Sequence, residues 1–146
     1  MTGISDLGTL LAGLRPEPDP VRYGFVTGPD ASLAPHAGSA LMRFVEAEGT
    51  TLILPFDTAE AAGLEPVFPC RRITLAVHSS LEAVGFMARI AATLAAEGIG
   101  CNPVAGYFHD HVFVPEDRLG DALAALFFVL GLSTIFVLLG FTASWL

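Results

Sequence analysis

Two stretches sixty residues apart carry the same punctuation. TLILPFDTAEAAGL (51–64) and HVFVPEDRLGDALAAL (111–126) each run from β-rich residues into a proline, Pro55 or Pro115. An acid follows two positions later, Asp57 or Asp117, and then an alanine-rich segment. Proline cannot donate to a β-ladder, so each strand ends there. A carboxylate just beyond suits the unpaired N–H groups and dipole of a helix start. Upstream of each unit lies another strand, VRYGFVTG (21–28) and CRRITLAVHS (70–79). In the second, Ile73, Leu75 and Val77 alternate with Thr74, Ala76 and His78, a period-2 signal. Internal similarity at this spacing points to duplication of one supersecondary unit.

The second copy is the fuller one. After its first strand, SSLEAVGFMARIAATLAAEG (79–98) reads as a helix with Leu81, Val84, Met87, Ala88, Ala91, Leu94 and Ala95 on one face. Ser79 and Glu82 have capping-box spacing, and Gly98 is a natural stop. IGCNPVAGYF (99–108) reads as a strand, HD as a tight turn and HVFVP as its hairpin partner. The order β-α-β-β-α is the beginning of a ferredoxin-like unit. The first copy is abbreviated. ALMRFVEAEGTTLILP (40–55) reads as a hairpin, with a short helix at 40–48 as the alternative. The stretches GPDASLAPHAG (28–38) and RPEPDP (15–20) read as loops by composition.

Charge narrows the function classes. The formal net charge is −8, with seven arginines and no lysine. A P-loop lysine and a Schiff-base lysine are therefore excluded. Nucleic acid is excluded as a partner for want of a basic face. Arg71-Arg72, the only local basic pair, reads as the exposed start of a strand. Cys70 and Cys101 lack metal-ligand spacing and read as two buried thiols in a reducing compartment. The N-terminus has no cationic start and only a short apolar run, unlike a secretory signal.

Three chemistries compete for the polar residues. His78, His109 and His111 could hold a catalytic zinc, with Asp110 behind them. His109 falls in the turn, however, which removes the shared strand face, and no zinc-enzyme motif surrounds the three. A Ser–His pair at His78 and Ser79 fails because neighbours on a strand point to opposite faces. The third chemistry is binding: at HSSLEAVG the first helical turn exposes N–H groups that favour an anion such as an α-carboxylate. Gly85 one turn in serves either close approach of a ligand or packing. No metal site, cofactor or catalytic constellation emerges.

The run RRITLAVHSSLEAVGFMARIAATLAAEGIGCNPVAGYFHDHVFVPED resembles an ACT domain, and more narrowly the small bacterial proteins with tandem ACT-like domains. It is also similar to the ACT regions of aspartate kinases and of the animal cytosolic arginine sensors. The strand–Ser-Ser-Leu-Glu-x-x-Gly–helix corner and the VAGYFHDHVFVPED hairpin carry the likeness, well over 68–126 and more loosely over 9–66. It implies an α+β fold of two ferredoxin-like βαββαβ units, an abbreviated one at 1–66 and a fuller one at 67–126; the uncharged run beyond them adds a hydrophobic C-terminal helix at 127–146, a possible transmembrane anchor. It further implies a regulatory module that binds small molecules, often amino acids, and pairs with itself. Carried onto this chain, the ligand site comprises Ser79, Ser80, Leu81, Glu82, Val84 and Gly85 at the corner. Asn102, Val104 and Gly106 come from the facing strand. Amides at 80–85 would hold a carboxylate, and Glu82 or Asn102 an α-amino group. The expected location is cytoplasmic.

One feature departs from that family. Every residue from Ala122 to Leu146 is uncharged, 25 in all, long enough as a helix for a hydrocarbon core of about 30 Å. The tail either anchors the protein to a membrane, supplies a last strand, or is a rearranged end. The expectation is thus a non-enzymatic amino-acid-binding module. A metal-dependent enzyme using His78, His109 and His111 and a membrane-attached interaction domain are the alternatives.

Overall fold

The computed structural model describes residues 3–128. Two compact units arise in the chain, one formed by Asp19–Arg72 and the other by the described residues before Asp19 and after Arg72. The residues up to Pro18 thus belong with the later unit. Both are α+β and built on antiparallel pairs.

In the Asp19–Arg72 unit, β1 (Pro16–Gly28) enters at Asp19 and pairs with β3 (Thr50–Pro55) from Tyr23↔Pro55 to Gly28↔Thr50. On its other side β3 pairs with β2 (Met42–Val45), so the reading of 40–55 as a hairpin holds and no helix forms at 40–48. The proline-rich stretch 15–20 is not a loop. Pro16, Pro18 and Pro20 stand at alternate positions of β1, so their missing donors all lie on one side of the strand. All three precede Tyr23, where the ladder with β3 begins, and none interrupts it.

The Pro/Gly-rich stretch 28–38 is not a plain loop either. It forms α2 (Asp30–Leu33) and a 3₁₀ turn (Ala34–Ser39). Asp30 accepts hydrogen bonds from Thr50 Oγ1 at 2.8 Å and Arg43 Nη2 at 2.6 Å. These, the Thr50 bond first, hold its carboxyl below the usual range. Leu33 then enters a core with Val26, Leu52, Leu54 and Ala59. Composition marks such a stretch as loop because the partners that order it lie elsewhere in the chain. The step from Pro55 into α3 (Phe56–Ala61) is as expected, with Asp57 in the first turn, where it also meets Arg22 at 3.0 Å.

β4 (Val67–Leu75) begins in this unit and ends in the other. Arg71 and Arg72 are not an exposed basic start. Arg71 Nε donates to the Asp19 carbonyl at 2.8 Å and Arg72 Nη2 to the Asp19 carboxylate at 2.6 Å. The Tyr23 hydroxyl and the Val21 N–H donate to the same carboxylate, each at 2.9 Å. Burial raises the Asp19 carboxyl, and these donors outweigh it, so the net shift is downward. Cys70 is buried and Cys101 partly so, both as free thiols; burial pushes the Cys101 thiol up.

The other unit follows the order β4, α4 (Phe86–Ala96), β5 (Asn102–Ala105), β6 (Asp110–Pro115) and a helix α5 over 119–128. A 3₁₀ turn, Glu116–Arg118, joins β6 to α5 and carries Asp117. Ahead of all these lies α1 (Leu7–Gly13), capped by Asp6 through the Thr9 N–H at 2.9 Å. Leu10 and Leu14 bury against Ile73, Leu75, Phe86, Ile90, Leu94, Val112 and Val114. The helical face differs from the expected one, because α4 starts at Phe86 rather than near Ser79. Phe86, Ile90 and Leu94, spaced by four, go inward, while Leu81 and Val84 lie exposed outside the helix. The C-terminal stop at Gly98 is as read: Gly98 N–H returns to the Ala95 carbonyl and Ile99 N–H to that of Leu94, a Schellman ending.

Residues 129–146, where most of the uncharged tail falls, lie outside the described residues. Among the described residues no helix is long and apolar enough to cross a membrane.

The Asp19 cluster makes stability depend on alkaline pH. Burial, then the bond to Asp19 and its charge, push the Tyr23 hydroxyl up to about 12 from 10.0. A raised folded-state pKa favours the protonated phenol, so its contribution is complete below pH 10 and is lost between pH 10 and about 12. In urea titrations across that window, wild type should lose stability relative to Tyr23→Phe. Parallel curves would remove the phenol from the account.

Candidate functional site

The expected site lies where β4 gives way to α4. Leu75 closes the strand with two successive three-residue turns, Val77 N–H to Leu75 O at 2.8 Å and Ser79 N–H to Val77 O at 2.9 Å. The capping box does not form. Ser79 is buried and its hydroxyl donates to Asp110 Oδ2 at 3.0 Å, so it is not available to a helix start. Ser80 instead accepts the Glu82 N–H on its Oγ at 3.1 Å and the Ala83 N–H on its carbonyl at 3.0 Å. A serine's local bonds to its own backbone compete with helix in this way. The helix begins only after Gly85, whose φ of +87° is a left-handed conformation suited to glycine.

The corner surrounds a cleft of ≈ 270 Å³. Of the expected residues, Ser79, Ser80, Leu81 and Glu82 line it, joined by Gly3, His78 and Tyr107. Val84 and Gly85 follow the cleft in sequence without lining it. Asn102, Val104 and Gly106 lie elsewhere, along β5 and its exit, where Asn102 pairs with Phe113 and Val104 with His111. Gly3 and Tyr107 are additions. Nothing local in the sequence marks Gly3, since the chain end reaches the corner only through folding. Tyr107 was legible as an aromatic beside the hairpin turn.

That turn is displaced from its expected place. Gly106–His109 forms it, with Gly106 N–H on the His109 carbonyl at 2.9 Å, and Asp110 and His111 already belong to β6. His111 Nδ1 lies 3.0 Å from Thr74 Oγ1, and His109 Nδ1 3.2 Å from the Val77 carbonyl. His78 sits among rings, 5.5 Å from Phe108 and 6.5 Å from Tyr107. The three imidazoles therefore point at separate partners. Among the described residues no group of three or more His, Cys, Asp or Glu is placed to hold a metal ion.

Of the amides at 80–85, those of Ser80, Glu82 and Ala83 already have acceptors. The N–H groups of Leu81, Val84 and Gly85 make no hydrogen bond among the described residues. Larger hollows lie against α4 and α5, one of ≈ 460 Å³ lined by Glu97, Arg118, Asp121, Ala124, Ala125 and Phe128. Its arginine is committed to Asp121 and the Glu97 carbonyl.

Two strand–helix units built on antiparallel strand pairs define the class, an α+β protein with ferredoxin-like halves. An ACT domain model matches residues 2–71 and a second ACT domain model matches residues 67–127. The chain belongs to the ACT-domain family, with two ACT domains in tandem. It is 41% identical to a Vibrio cholerae protein of unknown function, described as a possible transport protein, covering 88% of this chain and 99% of that one at a TM-score of 0.76. The fold is also similar to an Agrobacterium tumefaciens protein (14% identity, 80% and 89% covered, TM-score 0.65). A third similar structure is the ligand-free regulatory subunit of aspartate kinase from Thermus thermophilus (14% identity, 80% and 97% covered, TM-score 0.58). No curated protein matches the sequence.

Two substitutions test how the corner is held. Ser79→Ala leaves Asp110 without its buried donor and should cost about 1.5–3 kcal/mol. Gly85→Ala forces a side chain into a left-handed conformation and should cost about 1–2 kcal/mol. Urea unfolding midpoints measure both, and an unchanged midpoint for Ser79→Ala would show that the corner does not rest on that bond.

Proposed function

We propose that this chain is a regulatory module, without catalytic activity of its own, that binds a free amino acid at the corner between β4 and α4. The observation that carries the reading is the cleft at that corner of an ACT domain, bordered by Glu82 and by serine and aromatic side chains. In this reading the N–H groups at Leu81, Val84 and Gly85 and the first turn of α4 attract the α-carboxylate. Glu82 meets the α-amino group. Ser79 and Ser80 shape the floor.

Asn102 and Val104 lie on β5 at the sheet edge, with Gly106 in the turn that follows, and in this proposal they reach a ligand only across a pair of domains. Self-association therefore belongs to the same reading, as do domain limits of 1–66 and 67–126 and a cytoplasmic location. The aspartate-kinase regulatory subunit of similar fold supports the regulatory part.

A thermal-shift screen of the full chain against the twenty amino acids and divalent metals tests it. One amino acid should stabilise by about 2.7 kcal/mol at a hundredfold excess over its dissociation constant, and Glu82→Ala should abolish the shift. A metal-only response, lost on His109→Ala, would replace this reading with the enzyme one. Absence of any response from the folded chain would remove it.

A further inference from the structure

Residues 3–5 cross the corner as an extra piece of strand, in a parallel bridge between Ile4 and Ser79. The Ile4 N–H donates to the His78 carbonyl at 2.8 Å, and the Ile4 carbonyl accepts from the Ser80 N–H at 2.8 Å. A single residue thus offers one donor and one acceptor, on either side of its α-carbon, to the two backbone groups that flank Ser79. A free amino acid carries the same pair on one carbon, an ammonium that donates and a carboxylate that accepts.

The segment is lightly held. Beyond it, α1 is fixed by Leu10 and Leu14 in the core and by the Asp6 cap. Ahead of that cap, Ile4 is exposed, and among the described residues its two backbone bonds are the only hydrogen bonds of residues 3–5. Few buried contacts with solvent-facing backbone bonds mark a segment that opens at low cost. Close approach is also built in at Gly3, where a Cβ would stand 2.6 Å from the Ser79 carbonyl carbon and the Ser80 nitrogen. No side chain fits at position 3 while the segment is docked.

We propose that Ile4 is an internal stand-in for the ligand. Residues 3–5 form a displaceable strap, and its release hands the Ser80 N–H and the His78 carbonyl to an incoming amino acid. The inference rests on the amino-acid reading of the same corner and adds to it the two backbone atoms that bind and the element that competes for them. The measured affinity is then the intrinsic one reduced by the fraction of chains with the strap undocked.

The test is binding of each of the twenty amino acids to the full chain and to two variants. Gly3→Val drives a side chain into the Ser79–Ser80 backbone, and Ile4→Pro removes the N–H that His78 accepts. For a strap docked 90–99% of the time, either should tighten binding about ten- to a hundredfold. In wild type, hydrogen exchange at the Ile4 amide should quicken on adding the ligand while the Ser80 amide stays protected. Equal affinity in wild type and variants, with Ile4 still protected in the complex, overturns the strap and leaves the amino-acid reading standing. Binding to the variants alone supports it. Failure of all twenty to bind any of the three overturns the amino-acid reading and the strap with it. Should Gly3→Val not fold, Ile4→Pro and the wild-type exchange decide.

Discussion

The corner of the later ACT domain depends on one hydrogen bond, from the buried Ser79 hydroxyl to Asp110. A serine ahead of an alanine-rich run would ordinarily cap a helix. Here its oxygen is committed to the hairpin, so the chain turns twice within five residues, exposes Leu81 and Val84, and starts its helix only after Gly85. The cleft, the N–H groups of Leu81, Val84 and Gly85 that lack partners among the described residues, and the place where Ile4 docks all follow from that delay. Had Ser79 capped a helix, residues 80–85 would have been wound into it.

The Asp19 carboxylate does comparable work in the earlier unit. It gathers donors from Val21, Tyr23 and Arg72, while its carbonyl takes Arg71. Two arginines that read as a solvated strand end are thereby drawn onto Asp19, although the buried Arg72 Nε keeps no hydrogen-bond partner among the described residues. With the chain's charge so strongly acidic, the placement of its few arginines matters: Arg22, Arg43, Arg72 and Arg118 each form an ion pair with an aspartate.

Much of the architecture was legible because it is written in local rules. Pro55 and Pro115 end strands for want of a donor, Asp57 and Asp117 suit the helical turns that follow, and Gly98 ends α4. The hairpins at 40–55 and 102–115 follow from alternation around a turn. The misreadings share a cause. The stretch 28–38 is ordered by Asp30 reaching Thr50 and Arg43, and 15–20 is strand because its prolines share one side outside the β3 ladder. The buried face of α4 shifted because its start was set by Ser79 and Gly85 rather than by capping-box spacing. Each depends on a residue that composition and periodicity do not see.

The sequence by itself determined the repeated strand–proline–acid–helix unit, the α+β class, the ACT likeness and the corner around Ser79–Glu82, since all of these arise from neighbours within a few positions. Only the tertiary structure decided what that corner is. Gly3, Ile4, Tyr107 and Asp110 come to it from two separate segments, and hydrogen bonds between such segments leave no periodic trace along a chain.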